Sequence, residues 1–181
     1  RDALIEDGFL PHEFVGSATI ENNTEALASK ITQELKLKIN WNKNNPNTFN
    51  VLREEISNLG ILVMQNGVVG NNNHRILNVA EFRAFVLIDQ YVPLIFLNAR
   101  DSTNAKVFSL CHELVHVWLG VDELYNDNFT SNQIVNNSQL EKFCNEVAAE
   151  MLLPLSSIQS TLEPQLDIYT NIKHISKVFN V

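Results

Sequence analysis

The chain has only two cysteines in 181 residues, Cys111 and Cys144. That is too few for a disulfide framework, and it fits a reducing compartment such as the cytoplasm. Basic clusters are missing as well. Thirteen Lys and Arg face 21 Asp and Glu, a formal net charge of −8, which argues against nucleic-acid binding by this segment itself. No apolar run approaches the roughly 20 residues needed to span a bilayer, so no membrane association is expected. No signal peptide accompanies the sequons at Asn22, Asn128 and Asn136; these read as by-products of an Asn-rich composition rather than glycosylation sites. Internal repeats and low-complexity segments are absent too. A start at Arg1 rather than Met points to an excised fragment and leaves open a targeting segment upstream.

What is present suits a globular protein: 45% of residues are apolar, and the length is enough to bury a real core in one domain, with or without an appendage. Asn22 to Lys38 reads as a helix with Asn22 as its cap, Glu25 three residues on, and Leu27, Ile31 and Leu35 as the buried stripe. A second helix is expected from Thr48, with Phe49, Leu52, Ile56 and Leu59 on one face and Gly60 ending it in the left-handed conformation. Ile61–Met64, Phe82–Ile88 and Leu94–Leu97 read as short strands of a small sheet, and Gly67–Asn73 as a turn. The polar stretch Gly120–Asn137 is long enough to form a rim, and a further helix is expected from about Gln139 to Leu153, stopped by Pro154.

The most informative segment is Cys111-His112-Glu113-Leu114-Val115-His116, an H-E-x-x-H. In a helix, residues four apart lie roughly 40° apart in azimuth and about 6 Å apart along the axis, so His112 and His116 can present imidazoles to one ion. Glu113, rotated by about 100°, falls beside the ion's open position as a general base rather than among its ligands. The flanking residues Val107, Phe108, Leu110, Leu114, Val115, Val117, Trp118 and Leu119 make this helix apolar nearly all round. Two histidines and a glutamate buried there need partners, and a metal with its water satisfies all three together.

Catalytic zinc sites typically take three protein ligands, and four carboxylates compete for the third place. Asp122 lies six residues after His116, but the turn that would carry it needs a glycine where Leu119 stands. Glu141, Glu146 and Glu150 share a helix whose stripe is Leu140, Phe143, Cys144, Val147, Ala148, Met151 and Leu152. Glu146 points roughly 145° from the stripe's centre and is expected in solvent, while Glu141 and Glu150 flank opposite edges. Asn145 lies one turn after Glu141 and could hydrogen-bond a metal-bound histidine. Against Glu141 stands a capping box, Ser138-x-x-Glu141; helical geometry leaves the two readings open.

Taken together, the strand Ile95-Phe96-Leu97-Asn98, the helix from Val107 to His116 and the run from Glu141 to Pro154 resemble the ImmA/IrrE family of metallopeptidases over roughly Leu52 to Pro154. The likeness implies that Glu141 is the third ligand beside His112 and His116, with Asn145 supporting and Zn2+ as the cofactor. It implies an α+β, minimal zincin-like domain in which a small sheet packs against the H-E-x-x-H helix and a second ligand-bearing helix. Its implied function is that of a cytoplasmic endopeptidase, bacterial or phage-borne, which cleaves a DNA-binding repressor. The expected organisation is an N-terminal helical segment (1–46), the peptidase domain (47–160) and the truncated start of a C-terminal helical region (161–181). Many relatives carry a helix-turn-helix module.

The chemistry implied is peptide hydrolysis, with zinc lowering the pKa of water from roughly 15.7 toward roughly 7 and Glu113 moving its proton to the leaving amine. Leu94–Asn98 is the expected edge for an extended substrate. No second oxyanion donor stands out; Tyr125, His74 and His174 read chiefly as surface or structural residues. The alternative is a non-catalytic metal-binding sensor or interaction domain attached to a helix-turn-helix regulator. An intact Glu113 favours catalysis, because a purely structural site has no use for a base.

Overall fold

The computed structural model describes residues 1–70, 72–121 and 131–181, and for 131–137 the backbone alone. Along these residues the order is α1 (Asp2–Glu6), α2 (Thr24–Glu34), α3 (Thr48–Asn58), β1 (Leu62–Asn66), β2 (Ala84–Leu87), β3 (Leu94–Asn98), α4 (Thr103–Leu119), α5 (Ser131–Leu152), α6 (Leu155–Thr161) and α7 (Ile168–Phe179). The class is α+β, with one small sheet packed on α4, and α5 packed on both α4 and α2. No described helix is long and apolar enough to cross a membrane.

The sheet order is β1-β3-β2. β3 runs parallel to β1, with Leu62 opposite Leu94, and antiparallel to β2, with Val86 opposite Ile95. Leu94–Asn98 is therefore the central strand and not the expected edge. Its nearly continuous apolar run suits a strand paired on both sides, and Ile95 and Leu97 are fully buried. Apolarity marks a strand as interior but does not say which neighbour is exposed.

Three helix boundaries also differ from expectation or sharpen it. The cap of α2 is Asn23, whose side chain accepts a hydrogen bond from the Ala26 N–H at 2.9 Å, while the expected cap, Asn22, accepts from the Thr19 N–H at 2.7 Å. Either asparagine can cap; the preceding turn uses the first and leaves the second. Gly60 does follow α3 in the left-handed region at φ +88°. α5 begins at Ser131 rather than near Gln139, so Ser138 lies inside the helix and cannot cap it. The capping box is thereby removed as a rival role for Glu141. In 131–138 only the adjacent Ile134 and Val135 are apolar, and two neighbouring positions make no helical stripe to mark the first two turns.

The core centres on α4, where Leu110, Leu114, Val115, Val117 and Trp118 are all fully buried. Burial of each such side chain contributes about 1.5–3 kcal/mol. A buried helix end must still satisfy its last carbonyls. Here the Gly16 N–H donates to the Val117 carbonyl at 3.1 Å and the Ala18 N–H to that of Trp118 at 2.9 Å. The same segment stacks Phe14 on Trp118, centroids 4.7 Å apart. Leu27, Ala28 and Ile31 of α2 join this core.

Candidate metal centre

Helix α4 is capped by Ser102, whose hydroxyl accepts from the Ala105 N–H at 3.2 Å, and runs unbroken through the H-E-x-x-H. One turn therefore separates His112 from His116, and their Nε2 atoms lie 3.2 Å apart. Phe143, Cys144, Val147 and Ala148 pack α5 into the core, which turns Glu141 toward both rings. Its carboxylate oxygens lie 3.3 Å from His112 Nε2 and 3.2 Å from His116 Nε2. Among the described residues, these three form a cluster able to hold a metal ion.

The ring tautomers decide what that cluster can do. His116 Nδ1 lies 3.1 Å from the backbone carbonyl of Val121, an obligate acceptor, so Nδ1 carries the proton and Nε2 offers a lone pair. His112 Nδ1 lies 3.1 Å from Asn145 Oδ1, giving the same tautomer. Two bare nitrogens and a carboxylate thus converge, an arrangement that a cation relieves. Donors on a tetrahedral ion with arms of about 2.0–2.1 Å are about 3.3–3.4 Å apart, close to the separations here. The residues fit a metal of this size.

Val121 reaches His116 because the chain reverses at Gly120, at φ +68°. The Gly120 N–H donates to the Val117 carbonyl and the Val121 N–H to that of His116. A Cβ at Gly120 would lie 2.8 Å from Gly16 Cα, so both backbone conformation and packing call for glycine.

In the metal-free protein a proton takes the cation's place. Burial opposes an imidazolium at His116, but the neighbouring Cys144 sulfur, the Glu141 carboxylate and the Glu113 charge outweigh it and push its pKa up to about 11. Burial also pushes the Cys144 thiol up, while the neighbouring His116 pulls it down. Cys111, fully buried in α4, is likewise pushed up by burial. Both cysteines are free and act as small buried residues.

Glu113 is buried on α4 and, with His112 and Asn145, lines a cleft of about 370 Å³. Residues 79–84 also line it, as do Phe108 and Ser109, one turn earlier on α4. The remaining sequence candidates lie elsewhere. Glu146 is exposed and pairs with Lys142 at 3.8 Å. Glu150 is half-buried and accepts from the Leu155 N–H at 3.3 Å. His174 sits 3.9 Å from Glu163, and His74 lies in an exposed turn. Asp122 and Tyr125, like the whole of 122–130, fall outside the described residues, and the last part of the expected rim, 131–137, belongs to α5. Sequence reasoning missed the Val121 carbonyl, which has no side-chain signature, although the Gly after the motif helix hinted at a reversal there. It also missed the cleft wall at 79–84.

An α+β fold with two imidazoles from one H-E-x-x-H helix and a carboxylate from the next defines the class of metallopeptidase-type proteins. A family model described as the IrrE N-terminal-like domain, a peptidase family, matches residues 57–181. The chain belongs to that family, the ImmA/IrrE group. No curated protein shows significant similarity to it.

Proposed function

We propose that this chain is a zinc-dependent endopeptidase, with His112, His116 and Glu141 as ligands and Glu113 as general base. The observation that carries the reading is the convergence of the two Nε2 atoms and the Glu141 carboxylate at 3.2–3.3 Å, beside a buried Glu113 at an open cleft. When bound, zinc supplies Lewis acidity that ionises water near neutral pH and polarises a carbonyl. Glu113 accepts the water's proton and returns it to the leaving amine. Asn145 and the Val121 carbonyl hold the two imidazoles in the tautomer that leaves Nε2 free.

An extended substrate is aligned by β2. The Asn98 N–H donates to the Arg83 carbonyl directly opposite at 2.8 Å. Antiparallel alternation then turns the backbone groups of Arg83 and Phe85 toward β3 and those of Ala84 and Val86 outward. Among the described residues nothing pairs with that outer edge, and Ala84 lines the cleft. Backbone pairing there would fix a scissile peptide beside Glu113.

The substrate we propose is a DNA-binding repressor protein, cleaved in a bacterial or phage regulatory circuit and in the cytoplasm. Support comes from family membership and from the acidic net charge, −8, which suits a basic partner. The test is cleavage of a cognate repressor by the native chain and by Glu113→Gln at matched zinc occupancy. Native cleavage and at least a hundredfold loss in the variant, about the size of a general-base contribution, are expected. Equal rates, or no cleavage by either chain, would sink the proposal.

A further inference from the structure

The sheet is apolar on both faces, although among the described residues helices cover only one. Val63, Val86, Ile95 and Leu97 pack inward with the core. The register sets two cross-strand rows on the other face, Leu62–Leu94–Leu87 and Met64–Phe96–Phe85. None of these six residues is buried, and Leu62 and Met64 are 49% and 52% exposed. A sheet of this kind with one solvated face ordinarily turns polar residues to water.

The face is also continuous with the cleft. Phe85 stacks on Phe96 with centroids 5.1 Å apart, and Phe82 tilts against both at 6.0 and 6.2 Å. Phe82 and Ala84 line the metal cleft, while Phe85 and Leu87 end the two rows at the free edge of β2. A strand added to that edge places alternate side chains on opposite faces. Those opposite Ala84 and Val86 point toward the helices, and those opposite Phe85 and Leu87 become fourth members of the apolar rows.

We propose that this outer face selects the substrate: a β-prone segment with large apolar residues at two positions two apart, on the side of the strand turned away from the metal. This rests on the peptidase reading and adds a specificity element outside the metal cleft. Cross-strand apolar pairing makes each position worth about 1.4- to fivefold in cleavage efficiency.

The test uses the zinc-loaded chain and a pool of sequence-varied synthetic dodecapeptides, with products read by mass spectrometry. Cut peptides are expected to be enriched in large apolar residues at two positions two apart. Leu87→Lys should turn one of those preferences from apolar to acidic and leave the other unchanged, and Phe85→Lys should do the converse. Cleavage without the spaced preference, or with a preference that neither variant alters, overturns this inference and leaves the peptidase reading intact. No cleavage of any peptide overturns both. Sedimentation of the native chain provides a separate arm: a monomer is expected, and a dimer that Met64→Lys abolishes would show that a second copy covers the face, overturning the inference.

Discussion

The inner and outer halves of the metal centre are built by different means. His116 is 1% exposed and is oriented by a backbone carbonyl. His112, one turn earlier, lies at the cleft and is oriented by the exposed side chain of Asn145. The inner half is thus tied to the fold: the Val121 carbonyl is where it is because Gly120 reverses the chain and Gly16 allows the close approach. The outer half is tied to one replaceable side chain. Damage to the first should therefore cost stability and metal together, and damage to the second metal alone.

The largest effect is expected from removing a ligand. His116→Ala and Glu141→Ala should each lower zinc affinity by more than the 10- to 100-fold that loss of an orienting partner costs, measured by competition with a chromogenic chelator. Undiminished binding by Glu141→Ala would remove it from the site.

Gly120→Ala should come next and tests the inner half. A side chain at φ +68° costs about 1–2 kcal/mol, and the Cβ must also displace Gly16, 2.8 Å away. A total of about 2–3 kcal/mol is expected, or about 5–10 °C in Tm, together with weaker zinc binding. Loss of zinc affinity with an unchanged Tm would break the link between this half and the fold.

Asn145→Ala is the matching test of the outer half. Zinc affinity should fall about 10- to 100-fold, with the Tm of the metal-free protein unchanged because the side chain is exposed. Asn145→Asp, which keeps an acceptor for the His112 Nδ1–H, should restore most of the affinity. A Tm drop as large as that of Gly120→Ala would erase the distinction between the halves.

The same division explains what could be read from the sequence. His112, Glu113 and His116 were legible because one helical turn converts spacing into geometry. Asn145 was legible from its place one turn after Glu141. Glu141 itself stayed tied with a capping box until the family likeness separated them, since helical azimuth alone cannot tell a ligand edge from a cap. The Val121 carbonyl and the order β1-β3-β2 were not legible. The first is a backbone atom, and the second depends on which strand β3 meets in space, a matter that alternation along one strand does not encode.

Glu150 gives the smallest effect and the sharpest control, because it is a second half-buried carboxylate on α5 with no histidine in its hydrogen bonds. Burial pushes its pKa above 4.5; the Leu155 N–H pulls it down, and Glu25 adds to the rise. Below pH 4.5 the group is protonated in both folded and unfolded chains and costs nothing. As pH rises through the window between 4.5 and the raised folded value, the unfolded chain releases its proton first and stability falls; above the window the cost is complete. Glu150→Gln keeps an acceptor for Leu155 and removes the charge, so it should raise Tm at pH 7 by about 1–2 °C and leave it unchanged at pH 4. Partial exposure keeps the gain small. In the zinc-loaded protein Glu141→Gln should do the opposite and lower Tm, because weaker metal binding removes stabilisation that zinc gives the folded state. Opposite signs for one substitution at two carboxylates of one helix would separate ligation from burial; a shared sign would mean that burial alone governs both.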